Sequence, residues 1–143
     1  MGAKMKAISD IMVNNVISVN NSDDVHKARM LFKEKGIRHL PILSDDTAEF
    51  VGVLTQGSLL NHAFNIVEKF GLSGLKKREQ RTQVDEIMTV DCDTVAPDKD
   101  LISAANLLLT KKHSCLVVVE NRQLKGIVTA VDFVKLALHL MKA

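Results

Sequence analysis

The chain has no tryptophan and no tyrosine, and Phe32, Phe50, Phe64, Phe70 and Phe133 are its only large aromatic residues. Stacking platforms for successive bases are therefore missing, which argues against single-stranded nucleic-acid binding. A net charge of +2 is too small to supply an electrostatic footprint instead. Any pocket for a nucleobase has to be walled by aliphatic side chains. Cys92 and Cys115 are the only cysteines, and a disulfide between them has no support in the sequence beyond their number. Cys115 opens the apolar run Cys115–Val119, where it reads as a small core residue. Asp91 and Asp93 flank Cys92, and His113 lies two residues before Cys115, but neither group has a structural-zinc spacing, so no metal is expected. The five histidines (His26, His39, His62, His113 and His139) are scattered without a Ser/His/acid or Cys/His grouping, so catalysis is not expected. No run is long enough to cross a bilayer, and the N-terminal residues lack the continuous apolar stretch of a signal peptide. The expected location is a reducing cytoplasm, with no membrane and no nucleic acid among the partners.

What is present is a duplication. Ile11-Met12 recurs as Ile87-Met88 at an offset of 76, and Gly52-Val53-Leu54-Thr55 recurs as Gly126-Ile127-Val128-Thr129 at an offset of 74. A unit of roughly 60 residues buries too little surface to be comfortable alone, so two tandem copies are expected to share a core. The boundaries expected are a first repeat at 8–65, a basic linker at 66–82 and a second repeat at 83–143.

Each copy opens with a short apolar stretch (Val16 to Val19, then Asp93 to Val95) followed by helix-start chemistry, Ser22-Asp23-Asp24 and Pro97-Asp98-Lys99-Asp100. Val25, Ala28, Leu31 and Phe32 recur at helical spacing, as do Leu101, Ala104, Ala105, Leu107 and Leu108. Two β-type runs follow in each copy, Leu40–Leu43 with Phe50–Leu54 and Cys115–Val119 with Leu124–Val128, joined by polar turns. Second helices are expected to start near Gly57 and Val131. The order is strand, helix, strand, strand, helix, twice. The linker carries Lys76, Lys77, Arg78 and Arg81, which reads first as a solvated face.

These residues resemble the tandem cystathionine-β-synthase (CBS) domain pair, or Bateman module, over almost the whole chain. Gly36-Ile37-Arg38-His39-Leu40-Pro41-Ile42 is similar to that family's second-strand motif. The two Gly-x-x-Thr segments are similar to its third strand entering the last helix. The resemblance implies an α/β (α+β) fold of two pseudo-twofold-related β-α-β-β-α repeats packed sheet to sheet, with two clefts. It also implies adenine-nucleotide or adenosyl ligands, a regulatory role and a homodimer.

Thr129-x-x-Asp132 sits where a strand ends and a helix begins, so backbone N–H groups and the helix dipole favour a phosphate there. The Asp132 carboxylate can accept from two hydroxyls, as a ribose presents them, in charge-assisted bonds of about 1.5–3 kcal/mol. The same residues also read as a ligand-free capping box. By resemblance, the first cleft joins Thr129 and Asp132 with Ile17, Ser18, Ile37, Arg38, His39 and Pro41. Ile17 and Ile37 suit an adenine, Arg38 a phosphate, and His39 a pH-dependent donor. The alternative reading keeps Arg38 on the solvent face of a strand start and His39 as an ordinary half-buried residue. The second cleft pairs Thr55 and Ser58 with Thr94, His113, Ser114 and Cys115, but Ser58 stands where the family places its aspartate and Val117 where it places proline. That site is expected to be weaker. Gly52-x-x-x-x-Gly57-Ser58 is not a P-loop, because Ser58 occupies the lysine position. Gly52 and Gly126 read instead as points of close backbone approach or bulges.

The reading is a non-enzymatic regulatory module without a cofactor. It senses AMP, ATP or a related adenosyl ligand and relays occupancy to a regulated protein; the alternative is a ligand-free dimerisation scaffold.

Overall fold

Helix starts are set by local carboxylate and hydroxyl chemistry. Asp24 accepts the Lys27 N–H (2.8 Å) and opens α1, Val25–Lys35. Asp100 does the same for the Ser103 N–H (2.9 Å) at the start of α4, Leu101–Thr110. Each cap satisfies an N–H that the first helical turn leaves without an intrahelical acceptor. Behind them, α1 buries Val25, Ala28 and Phe32, and α4 buries Ala104. The remaining elements are β1 (Val19–Asn20), β2 (His39–Leu43), β3 (Phe50–Thr55), α2 (Gln56–Phe70), α3 (Leu75–Gln80), β4 (Thr94–Val95), β5 (Cys115–Glu120), β6 (Gln123–Thr129) and α5 (Ala130–Lys142).

The computed structural model describes residues 5–110 and 115–142. The chain divides into two compact units, Ile17–Asp91 and a second made of the segment ending at Val16 together with Cys92 and all that follows. Each unit holds one three-stranded sheet, ordered β1-β2-β3 in the first and β4-β5-β6 in the second. In both, a parallel pair is followed by an antiparallel one: Val19 lies opposite Ile42, and Thr94 opposite Val117. The β5–β6 hairpin closes through Asn121 and Arg122, both at positive φ (53° and 65°), the geometry of a type I′ turn. β1 and β4 are two residues long, so the first strand of the first repeat starts three residues later than the apolar stretch suggests.

Two cores result. Val19, Val25, Ala28, Phe32, Leu40, Ile42, Leu54, Leu59 and Val84 form one, and Ile8, Val95, Ala104, Leu116, Val118 and Val128 the other. Val84 and Ile8 are the key members. Each begins a single 3₁₀ turn, Val84–Glu86 or Ile8–Asp10, that leads one sequence repeat while packing in the unit that carries the sheet of the other. Backbone bonds hold the exchange: Thr89 N–H to Val53 carbonyl (2.8 Å) and its reciprocal (3.0 Å) in one unit, Val13 N–H to Ile127 carbonyl (3.1 Å) and its reciprocal (3.3 Å) in the other.

Gly52 and Gly126 are where these segments cross the sheets. A β-carbon on Gly52 would meet Met88 Sδ at 2.7 Å and Thr89 O at 2.9 Å; on Gly126 it would meet Met12 Sδ at 2.6 Å and Val13 O at 2.9 Å. The register also slips at both points, after Ile42 opposite Gly52 and after Val118 opposite Gly126. Both expectations for these glycines, close approach and bulge, hold together.

The linker differs from the solvated connector expected. α2 continues to Phe70, and α3 then docks on α1. Glu79 is fully buried and receives two bonds from Arg29 Nε (2.8 and 2.9 Å) and one from Nη2 (2.6 Å). His26 Nδ1 approaches the same carboxylate at 3.8 Å. Of the basic residues, Arg78 lies over the Phe70 ring at 3.2 Å, while Lys76, Lys77 and Arg81 are exposed. A buried carboxylate needs a paired donor, and this pairing was invisible in a run of positive charge. No helix among the described residues is long and apolar enough to cross a membrane.

Candidate functional site

In the unit Ile17–Asp91, the residues singled out by sequence converge on one end of the sheet. His39 is the register partner of Thr55, and the Gln56 N–H donates to the Arg38 carbonyl (3.0 Å). The motif at Arg38 and His39 therefore lies against the N-terminus of α2. Arg38 is exposed, His39 half-buried and Pro41 buried opposite Val53. Ile17 and Ile37 are half-buried and lean on the core, and Ser18 is half-buried beside Val19. Burial, with Arg38 next to it, lowers the His39 pKa from 6.5, so the imidazole is neutral at pH 7. At that pH it is not the cationic donor its type alone suggests.

Thr55 caps α2: its Oγ1 accepts the Ser58 N–H (3.0 Å) and donates to Ser58 Oγ (3.0 Å). In the other unit the equivalent positions behave differently. Asp132 Oδ2 accepts the Thr129 N–H (2.9 Å), so the capping reading of Thr129-x-x-Asp132 is realised in part. One bond leaves the second oxygen and further lone pairs of a charged carboxylate available. Ser58 brings a neutral hydroxyl already engaged with Thr55.

Among the second-cleft candidates, Thr94 is exposed on β4, and Cys115 is buried opposite Thr129. Burial pushes the Cys115 thiol up to about 12, so it is a neutral interior group. His113 and Ser114 lie outside the described residues.

Each unit also contains a depression along its closing helix, and four positions of the one in the first unit recur 74 residues further along in the other. One is lined by Ser58, Asn61, His62, Asn65 and Ile87; the other by Met5, Asp10, Ile11, Asp132, Lys135, Leu136 and His139. Asn61, His62, Asn65, Lys135 and His139 escaped the motif-based reading. Their i, i+3, i+4, i+7 spacing from Ser58 and Asp132 is the signal that marks them as one helix face. The first depression is lined by Ser58, Asn61, His62 and Asn65 with no carboxylate, and the buried His62 Nδ1 has no hydrogen-bond partner among the described residues. The second is lined by the carboxylates Asp10 and Asp132 and by Lys135, and N–H groups of Ala7 and Lys6 lower the Asp10 pKa. Their volumes, about 260 and 220 Å³, fall below the range of whole-ligand pockets and suit one moiety of a nucleotide. Among the described residues no three His, Cys, Asp or Glu side chains cluster as metal donors.

A family model for the CBS domain matches residues 8–65 and 84–139. Protein MJ1404 of Methanocaldococcus jannaschii is 31% identical over 98% of the chain, which covers 35% of that protein. The chain thus spans about a third of the length of this relative. Among solved structures, AcuB from Vibrio cholerae superposes with a TM-score of 0.78 at 27% identity, covering 97% of this chain and 95% of that one. CBSX2, solved in complex with AMP, superposes with a TM-score of 0.77 at 30% identity, covering 94% and 98%.

Proposed function

Because the chain belongs to the CBS domain family and carries the domain twice, we propose that it is a non-enzymatic regulatory module whose ligand is an adenine nucleotide, AMP or ATP. The observation that carries this reading is the half-engaged carboxylate of Asp132 at the N-terminus of α5. It is charged, fixed by one backbone bond, and retains acceptors for a ribose diol. Ile17 and Ile37 are assigned to the base, with Ser18 and Pro41 beside it, and Arg38 to the phosphate. Thr129 adds its hydroxyl. AMP bound to CBSX2, at 30% identity, supports the ligand class.

A second, weaker site is assigned to Thr55, Ser58, Thr94, His113 and Ser114. Its weakness follows from Ser58, which has no charge to offer and already bonds Thr55. Cys115 contributes there through its backbone, its thiol being buried.

The module is proposed to act as a homodimer in the cytoplasm and to relay occupancy to a protein partner. α5 supports the dimer: it buries none of its residues, and Val131, Val134, Leu138, Leu140 and Met141 are all exposed. A helix with that much apolar surface is stabilised by a covering surface. Light scattering at micromolar concentration should give twice the chain mass; a monomer overturns this part.

The same apolar helix supports the alternative, a ligand-free dimerisation scaffold. A thermal-shift series with AMP, ADP, ATP and S-adenosylmethionine separates the two. A saturating ligand at 100 times its Kd stabilises by about 2.7 kcal/mol. No shift with any of the four supports the scaffold.

A further inference from the structure

The two cysteines belong to the same unit: Cys115 opens β5, and Cys92 lies two residues before the neighbouring β4. β4 and β5 run parallel with Thr94 opposite Val117 and Val95 opposite Val118, and the Val117 N–H donates to the Asp93 carbonyl (3.1 Å). Cys92 and Cys115 each stand two residues before the partners Thr94 and Val117, so extending that register beyond the start of β4 brings Cys92 toward Cys115, the first residue of β5. Neighbouring strands lie about 4.8 Å apart, inside the Cα separation of about 4.4–6.8 Å that a disulfide spans. The nearness of the two cysteines is felt electrostatically: Cys92 adds to the upward push that burial exerts on the Cys115 thiol. Cys92 is half-buried and Cys115 buried, and both are thiols.

We propose that Cys92 and Cys115 form a peroxide-sensitive pair that closes reversibly into an intrachain disulfide. Cys92, the more accessible, reacts first. Its thiolate attacks one oxygen of hydrogen peroxide, the O–O bond breaks, and a sulfenic acid and hydroxide result; the hydroxide takes up the proton lost by the thiol and leaves as water. The Cys115 sulfur then attacks the Cys92 sulfur. The S–S bond forms, the S–O bond breaks, and the departing hydroxyl takes the Cys115 proton as a second water. Two thiols and one peroxide become one disulfide and two waters, a two-electron oxidation in which the peroxide is reduced. A dithiol reductant reverses it by exchange.

The second step draws on the Cys115 thiolate, which is scarce at neutral pH. It therefore accelerates about tenfold per pH unit while that fraction stays small. The bond ties the segment entering β4 to the start of β5, closing the chain around α4 independently of any bound ligand.

The test treats the reduced chain with hydrogen peroxide near about pH 8, where thiolate attack is favoured. Remaining thiols are then alkylated in denaturant and the tryptic peptides identified by mass. The expected product links the peptide spanning 82–99 to that spanning 113–122, weighs two hydrogens less than the reduced chain, and reverts with dithiothreitol. Cys92→Ser should give no linked peptide. Two unmodified thiols would overturn the proposal. So would Cys92 carried to a sulfinic acid, or joined to a second chain, while Cys115 alkylates as a reduced thiol.

Discussion

A β-carbon on Gly52 falls 2.7 Å from the sulfur of Met88, a residue 36 positions further along the chain. The Met88 side chain can swing away, but the Thr89 carbonyl at 2.9 Å is backbone and is held by the reciprocal bonds to Val53. Gly52→Ala should therefore destabilise by about 1–3 kcal/mol, the usual cost of overpacking. Gly126→Ala, which meets Met12 and the Val13 carbonyl in the same way, should do likewise. Urea denaturation of both variants checks this; neutrality in either would show that the crossing segment yields.

Asp132→Ala should lower nucleotide affinity by roughly 10- to 100-fold, the equivalent of one or two charge-assisted bonds. It also removes the bond to the Thr129 N–H, so a stability loss of about 0.5–2 kcal/mol is expected. Asp132→Asn retains an acceptor for that N–H and should recover much of the stability but little of the affinity. Calorimetric titration with AMP separates the two effects, and an unchanged dissociation constant in both variants removes Asp132 from the ribose.

The reverse substitution, Ser58→Asp, gives α2 the carboxylate that α5 has. An increase in bound AMP per chain, or a second binding phase about tenfold tighter than in the parent, is the expected result. Equal, independent sites in the unaltered chain would remove the asymmetry altogether.

Arg29 and Glu79 should not be equivalent on removal. The Glu79 side chain is 1% exposed and that of Arg29 31%. Arg29→Ala leaves a buried carboxylate without its guanidinium and should cost about 3 kcal/mol or more, whereas Glu79→Ala leaves an arginine that rehydrates and should cost distinctly less. Chemical denaturation of the two single variants reads the difference directly. A loss of α3 alone would appear as local proteolysis between Leu75 and Arg81.

His39 imposes a pH dependence whose sign is set by its lowered pKa. The unfolded chain binds the proton at about pH 6.5 while the folded chain resists it. Stability is therefore full above about pH 6.5 and declines as pH falls toward the folded value. His39→Gln should flatten that decline between about pH 7 and pH 5 in denaturation curves taken at each pH. An unchanged slope would place the imidazole in solvent.

Much of this architecture could be read from local spacing. Asp24, Asp100 and Thr55 cap helices through residues three positions away, and such short-range chemistry is written in adjacent letters. The duplicated Gly-x-x-Thr segments located β3 and β6 and the start of the closing helices for the same reason. The Thr129–Asp132 pairing was legible as well, and the structure adds that one carboxylate oxygen is already in use. The position of β1 was not legible, because an apolar stretch does not say which of its residues finds a neighbouring strand, and only Val19 and Asn20 do. Nor was Glu79: a single acid among lysines and arginines reads as surface until α3 turns it beneath α1.

By itself the sequence determined that the chain is made of two similar halves, which residues begin its helices, and that any nucleobase pocket must be aliphatic. Those properties depend on composition and on neighbours a few residues apart. Only the tertiary structure decided that Ile11-Met12 and Ile87-Met88, the clearest mark of the repeat, each pack in the unit holding the other repeat's sheet. It alone also buried Glu79 against Arg29. Contacts across tens of residues are selected by which surfaces exclude water together and which polar groups find partners, and periodicity along the chain does not encode that choice.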